Sequence, residues 1–203
     1  MYANNIQFTK IEIQLLKYIF KHFKDKYNAR QLAKLLSLNH ANINKLCKSL
    51  TNKNLLIKEE MSNSIYYSFN YDNELSIKFI EYLLSLEKDE FPKWLKILIY
   101  NLKKFEEFIS FGCVFGSSIK NDKFNDIDIL LIYNKKMKTK INKIKTIIRK
   151  SELIEKPIRY MEISKKDIKK NLNNDVFYKI ISENLIFHNS SKYIEIIKQL
   201  KNI

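Results

Sequence analysis

Phe111-Gly112-Cys113-Val114-Phe115-Gly116-Ser117-Ser118 leads within a few residues to Asn125-Asp126-Ile127-Asp128-Ile129-Leu130-Leu131-Ile132-Tyr133, and the first of these runs holds both glycines of the chain. The pattern reads as a strand, a tight Gly-Ser turn, a short helix or loop, and a second strand. Side chains alternate with period 2 along a strand, so Asp126 and Asp128 share one face while Ile127 and Ile129 point into a core. Two acids side by side repel each other unless a cation neutralises them. A glycine ahead of a helix start lets the backbone approach a phosphate, and the first turn offers free N–H groups. Lys120 lies one turn further on. The stretch therefore reads as a divalent-metal and phosphate site.

Downstream, a lysine-rich amphipathic helix is expected over residues 136–150. It is followed by a third strand, Pro157-Ile158-Arg159-Tyr160-Met161-Glu162-Ile163. If this strand lies beside the aspartate strand, Glu162 supplies a third carboxylate; Asp167, at a lysine-rich helix start, is the rival. Residues 175–183 and 192–200 read as helices flanking a short apolar run, Leu185-Ile186-Phe187.

Upstream, residues 9–24 repeat apolar side chains at 3–4 spacing, with Thr9 and Glu12 set for a capping box. Two more amphipathic segments follow, 29–36 and 40–52, joined by Ser37-Leu38-Asn39. Strand-like runs at 55–58 and 65–69 then flank a polar tip, Met61-Ser62-Asn63-Ser64. Helix, helix, turn, helix and hairpin is the order of a winged helix-turn-helix. In that geometry the third helix enters the major groove of DNA. His40, Asn42, Asn44, Lys45 and Lys48 are its outward polar residues, with Arg30 and the tip residue Asn63 beside them. Asparagine pairs with adenine edges, and lysine contacts phosphate. Residues 74–107 read as two connecting helices.

The net charge is +15, and of 37 basic residues all but Arg30, Arg149 and Arg159 are lysine. Residues 1–70 carry 11 basic and 4 acidic groups, residues 71–108 carry 6 and 8, and residues 109–203 carry 20 and 10. Two basic blocks thus flank a near-neutral connector, and basic faces attract polyanions. Cys47 and Cys113 are isolated in apolar patterns and make neither a disulfide framework nor a metal ligand set. No run reaches the roughly 18 apolar residues of a membrane span, and no signal peptide opens the chain. A cytoplasmic setting without membrane attachment is expected.

The Gly116-Ser117 pair followed by Asp126-Ile127-Asp128 resembles the nucleotidyltransferase superfamily that includes DNA polymerase beta. It is most similar to the minimal nucleotidyltransferases of archaea and bacteria. The resemblance covers about residues 92–190. It implies that Gly116, Ser117 and Lys120 hold ATP or another nucleoside triphosphate, that Asp126 and Asp128 bind two Mg²⁺ ions, and that Glu162 completes a catalytic acidic triad. This chain departs from the pattern at Ile119 and Asn121, where relatives commonly have a small residue and a glycine. It also places only eight residues between Ser117 and Asp126.

The expected architecture is α+β. A winged helix-turn-helix (1–72) and a helical connector (73–108) precede a small mixed-sheet nucleotidyltransferase domain with flanking helices (109–203). The expected activity is Mg²⁺-dependent transfer of a nucleoside monophosphate, AMP from ATP, onto a protein or other hydroxyl. Many minimal nucleotidyltransferases act as antitoxins by modifying small helical toxins, so a cognate toxin is the implied acceptor. Fold analogy adds a homodimer through the 74–107 helices. One alternative is a DNA-binding regulator whose transferase-like domain senses nucleotide without turnover. Another is nucleotide addition to RNA held by Lys165, Lys166, Lys169 and Lys170.

Overall fold

A computed structural model describes residues 7–201 except 122, 152–155 and 172. The chain is α+β and divides into two compact units, one running to Leu83 and the other starting at Leu84.

The first unit starts with helix α1, Lys10–Lys21. The Thr9 hydroxyl accepts from the Glu12 backbone N–H, and the Glu12 carboxylate accepts from the Thr9 backbone N–H. The capping box read from the sequence is thus formed. Strand β1, Tyr27–Asn28, leads into helix α2, Ala29–Leu35, which Asn28 and Gln31 cap in the same reciprocal way. Ser37 turns the chain with a φ of 54°, and the Leu38 N–H closes onto the Ala33 carbonyl. Asn39 then caps helix α3, His40–Asn52. Strands β2, Leu56–Met61, and β3, Ser64–Phe69, form a hairpin whose tip includes Ser62 at a φ of 53°.

The sheet order is β1-β3-β2, all antiparallel. β1 was not expected, because two residues carry no readable period; pairing with Tyr66 and Tyr67 of β3 defines it. Leu16, Phe20, Leu32, Ile43, Cys47, Leu50, Tyr67 and Phe69 are buried between the helices and this sheet.

Helix α4, Glu74–Leu86, crosses the boundary between the units. Helix α5, Lys93–Leu102, begins directly after Pro92 and ends in a tight 3₁₀ turn, Lys103–Phe105, instead of continuing to residue 108. It is part of the second core, not a separate connector: Leu95, Leu98 and Leu102 pack with the sheet. The remaining elements are β4 (Ile109–Phe115), β5 (Ile127–Tyr133), α6 (Lys138–Arg149), β6 (Ile158–Ser164), α7 (Asp175–Ser182), β7 (Asn184–His188) and α8 (Ser190–Lys201). The strand order is β6-β5-β4-β7, with β5 and β6 parallel and the other pairs antiparallel.

Val114, Ile127, Ile129, Leu131, Tyr133 and Phe187 face α5 and α6 on one side of this sheet. Residues of opposite parity, among them Phe111, Cys113, Leu130 and Ile132, face the other side, where the Phe111 ring stacks on Tyr193 of α8. No helix among the described residues is long and apolar enough to cross a membrane.

Glu12 is the polar anchor of the first unit. It is buried and also takes bonds from the Ser49 hydroxyl and from the Lys53 ammonium at 3.0 Å. Burial pushes its carboxyl up, but the Thr9 N–H, Lys53 and Ser49 together outweigh burial and hold it below the ordinary value of 4.5. A depressed folded value stabilises the fold above the unfolded value, and the contribution fades as pH falls through the folded value. Glu12→Gln is therefore expected to cost about 1–3 kcal/mol in urea unfolding at pH 7, with the gap to the parent narrowing at pH below 4.5.

Candidate phosphate and nucleic-acid sites

The second unit brings Gly116, Ser117, Asp126 and Asp128 to one end of its sheet. Phe115 pairs with Asp128 across β4 and β5, so the turn after β4 stands beside the aspartates. Gly116 has a φ of 84°, which side chains disfavour, and a Cβ there would lie 2.5 Å from the Asp128 Oδ2. Glycine is required at this position both for the backbone and for the carboxylate packed against it. The turn is a single 3₁₀ segment, Ser117–Ile119, not the start of an α-helix. The short passage from Ser117 to Asp126 leaves no room for one, so the helix dipole expected from the sequence is absent.

A cleft of about 380 Å³ opens beside the turn. It is lined by Gly116, Ser117, Lys120 and Asn121 together with Lys179 and Glu183 from around α7. Lys120 pairs with Glu183, which places its ammonium at the cleft. Neither aspartate is among the lining residues.

Asp126 and Asp128 lie on one face, as alternation requires. Burial first, and then the charge of Asp126, push the Asp128 carboxyl above its ordinary value, with Arg159 pulling the other way. Glu162 is not brought to them. β5 and β6 pair in parallel with Asp128 opposite Arg159 and Leu131 opposite Glu162. Three residues of offset amount to about 10 Å along the strand and also invert the face. Glu162 turns toward α6, where it accepts from the Lys145 ammonium and the Tyr133 hydroxyl. Burial raises the Glu162 carboxyl, but Lys145, Tyr133 and Lys138 outweigh it and hold it below its ordinary value. Asp167 pairs with Lys135 and Lys170.

The residue beside the aspartates is instead Arg159, whose guanidinium lies 2.9 Å from the Asp126 Oδ2. Parity within residues 157–163 shows that Arg159 and Glu162 cannot share a strand face, but not which of them meets the aspartates. The donor set does not fit the two Mg²⁺ ions that the resemblance implies. Among the described residues no three His, Cys, Asp or Glu side chains gather to hold a metal, and a guanidinium stands against one of the two carboxylates.

In the first unit, Arg30, His40, Asn44 and Asn63 line one concavity of about 360 Å³, with Asn28, Ser64, Ile65 and Tyr67. The Asn39 cap starts α3 so that His40 and Asn44, one turn apart, both reach it. Asn42, Lys45 and Lys48 are exposed on α3 outside the concavity. Residues 28–53 contain no acid, but they hold Arg30, Lys34, Lys45, Lys48 and Lys53. The hairpin carries exposed Glu59 and Glu60, and Lys26 offsets the first of these.

No family model, no curated protein and no solved structure matches this chain.

Two outcomes test the carboxylates. A carboxyl with a raised folded value opposes folding once it ionises, so its penalty is absent below the unfolded value and complete above the folded one. Asp128→Asn is expected to raise the melting temperature at pH 7 and to lose that gain below pH 3.8. Glu162→Ala strands Lys145, whose side chain is only 15% exposed. It is expected to cost about 1–3 kcal/mol in urea unfolding.

Proposed function

We propose that this protein is a DNA-binding regulator. In this reading the first unit acts as a winged helix-turn-helix, and the second is a nucleotidyltransferase-like module that binds a nucleoside triphosphate without transferring it. The observation that carries the reading is the convergence of Arg30, His40, Asn44 and Asn63 on one concavity. The α2–turn–α3 segment around it is free of acids. Lys45 and Lys48 on the exposed side of α3 suit phosphate contacts, and Asn44 suits an adenine edge.

Nucleotide binding in the second unit rests on the glycine-enforced turn, Ser117, Lys120 and the adjoining cleft. A binding role without turnover is favoured because Glu162 faces away from Asp126 and Asp128 while Arg159 pairs with Asp126.

A second reading is transfer of a nucleoside monophosphate onto a hydroxyl of a partner protein, such as a cognate helical toxin, with release of pyrophosphate. One observation favours it: both aspartates share a face, with the Asp128 carboxylate against Gly116. Incubation with labelled ATP and candidate acceptors separates the two readings. Labelling that disappears in Asp126→Asn/Asp128→Asn selects the transferase.

DNA binding is tested by equilibrium binding of the full chain to duplex libraries at several salt concentrations. Affinity is expected to fall as salt rises. Lys45→Ala/Lys48→Ala is expected to weaken all sequences alike and to reduce the salt slope by about 2. Asn44→Ala is expected to relax the preference at one base pair by about 1–3 kcal/mol. Salt-indifferent binding, or none, overturns the reading.

A further inference from the structure

We infer that Arg159 supplies, beside Asp126 and Asp128, the positive charge that a divalent ion would otherwise bring, so that the site takes a nucleoside polyphosphate on a guanidinium without metal. This deepens the phosphate-site part of the proposed function and rests on it.

Three observations converge on Arg159. First, register places it directly opposite Asp128 on the neighbouring strand and on the same face. A third carboxylate in a site built on β5 and β6 would have to stand at this position. Second, its guanidinium lies 2.9 Å from the Asp126 Oδ2, and the Asp126 side chain is only 16% exposed. The guanidinium thus offsets part of the aspartates' charge within the chain. A divalent ion bound there would have to displace the guanidinium and then sit next to its charge. Third, the Arg159 side chain is 73% exposed. A guanidinium has five N–H donors in a planar fork, so one edge can hold Asp126 while the other meets a phosphate.

The geometry suits an elongated anion. Across the sheet, Phe115, Asp128 and Arg159 stand in a row, and two strand spacings amount to about 10 Å. A polyphosphate chain held at Gly116, Ser117 and Lys120 would run along this row toward the exposed side of Arg159. The arginine shields the aspartates from the phosphates in the way a bound cation would.

The test uses the full chain with two probes, Mn²⁺ alone and ATP, the latter in EDTA and in Mg²⁺, by titration calorimetry. The parent protein is expected to bind ATP equally with EDTA and with Mg²⁺, and to bind Mn²⁺ at least tenfold more weakly than Arg159→Asp does. Arg159→Asp is expected to lose ATP binding in EDTA, and Arg159→Ala to weaken it at least tenfold. Since Arg159 is largely exposed, these variants should fold, and circular dichroism with melting checks this. Arg159→Lys, which keeps the charge but not the fork, is expected to bind ATP in EDTA better than Arg159→Ala. The inference is overturned if the parent needs Mg²⁺ to bind ATP, or if Mn²⁺ binds the parent as tightly as it binds Arg159→Asp. If ATP binds the parent under neither condition, the phosphate site itself is wrong, an outcome distinct from a metal requirement.

Discussion

The second unit depends on one constraint: side chains of paired parallel strands share a face, and each strand alternates with period two. Once Asp128 is paired with Arg159, every other relation at the sheet's end follows. Asp126 joins Asp128 on the same face, Arg159 meets them there, and Glu162, three residues further on, is carried to the opposite face and up the strand. A shift of one residue would bury Arg159 against α6 and expose the apolar side chains that now fill that core. Burial of Ile127, Ile129, Leu131 and Tyr133 against the helices therefore protects the register, and the register determines which charges meet.

Glu162 shows how a charged residue outside a site still serves the fold. It stands between β6 and α6, and Lys145 and Tyr133 bind its carboxylate. The Lys145 ammonium also lies 4.7 Å from the centre of the Tyr160 ring. Such a group ties a lysine-rich helix to the sheet by satisfying charges on both sides. Partly buried polar groups of this kind cost stability when one partner is removed, because the other keeps much of its desolvation penalty. The aspartate pair is the opposite case. Its two like charges stand together, burial and repulsion raise the Asp128 carboxyl, and among the described residues the cation held against them is Arg159. A carboxyl raised in this way opposes folding once it ionises.

The first unit follows a different logic, because its order is mostly local. Thr9, Asn28 and Asn39 each start a helix by accepting backbone N–H groups. Left-handed residues at Ser37 and Ser62 turn the chain between elements. Glu12 then adds a non-local tie, linking the start of α1 to Ser49 and Lys53 at the end of α3. That tie helps orient α3, and with it the side chains that line the concavity next to the hairpin.

Local features were legible in the amino-acid sequence alone. The helices and strands, the Thr9–Glu12 capping box, the glycine needed at 116 and the shared face of Asp126 and Asp128 all follow from periods and caps within a few residues. The gathering of Arg30, His40, Asn44 and Asn63 needed in addition the order of helix, turn, helix and hairpin. Only the tertiary structure decided which residue of β6 meets the aspartates. The connection from Tyr133 to Ile158 is long, so nothing local sets the register of β6 against β5, and packing of two apolar faces sets it instead. The two-residue strand β1 was hidden for the same reason, since a partner distant in sequence defines it. Sequence thus determined the parts and the two-acid face. Long-range pairing decided that an arginine, not a third acid, completes it.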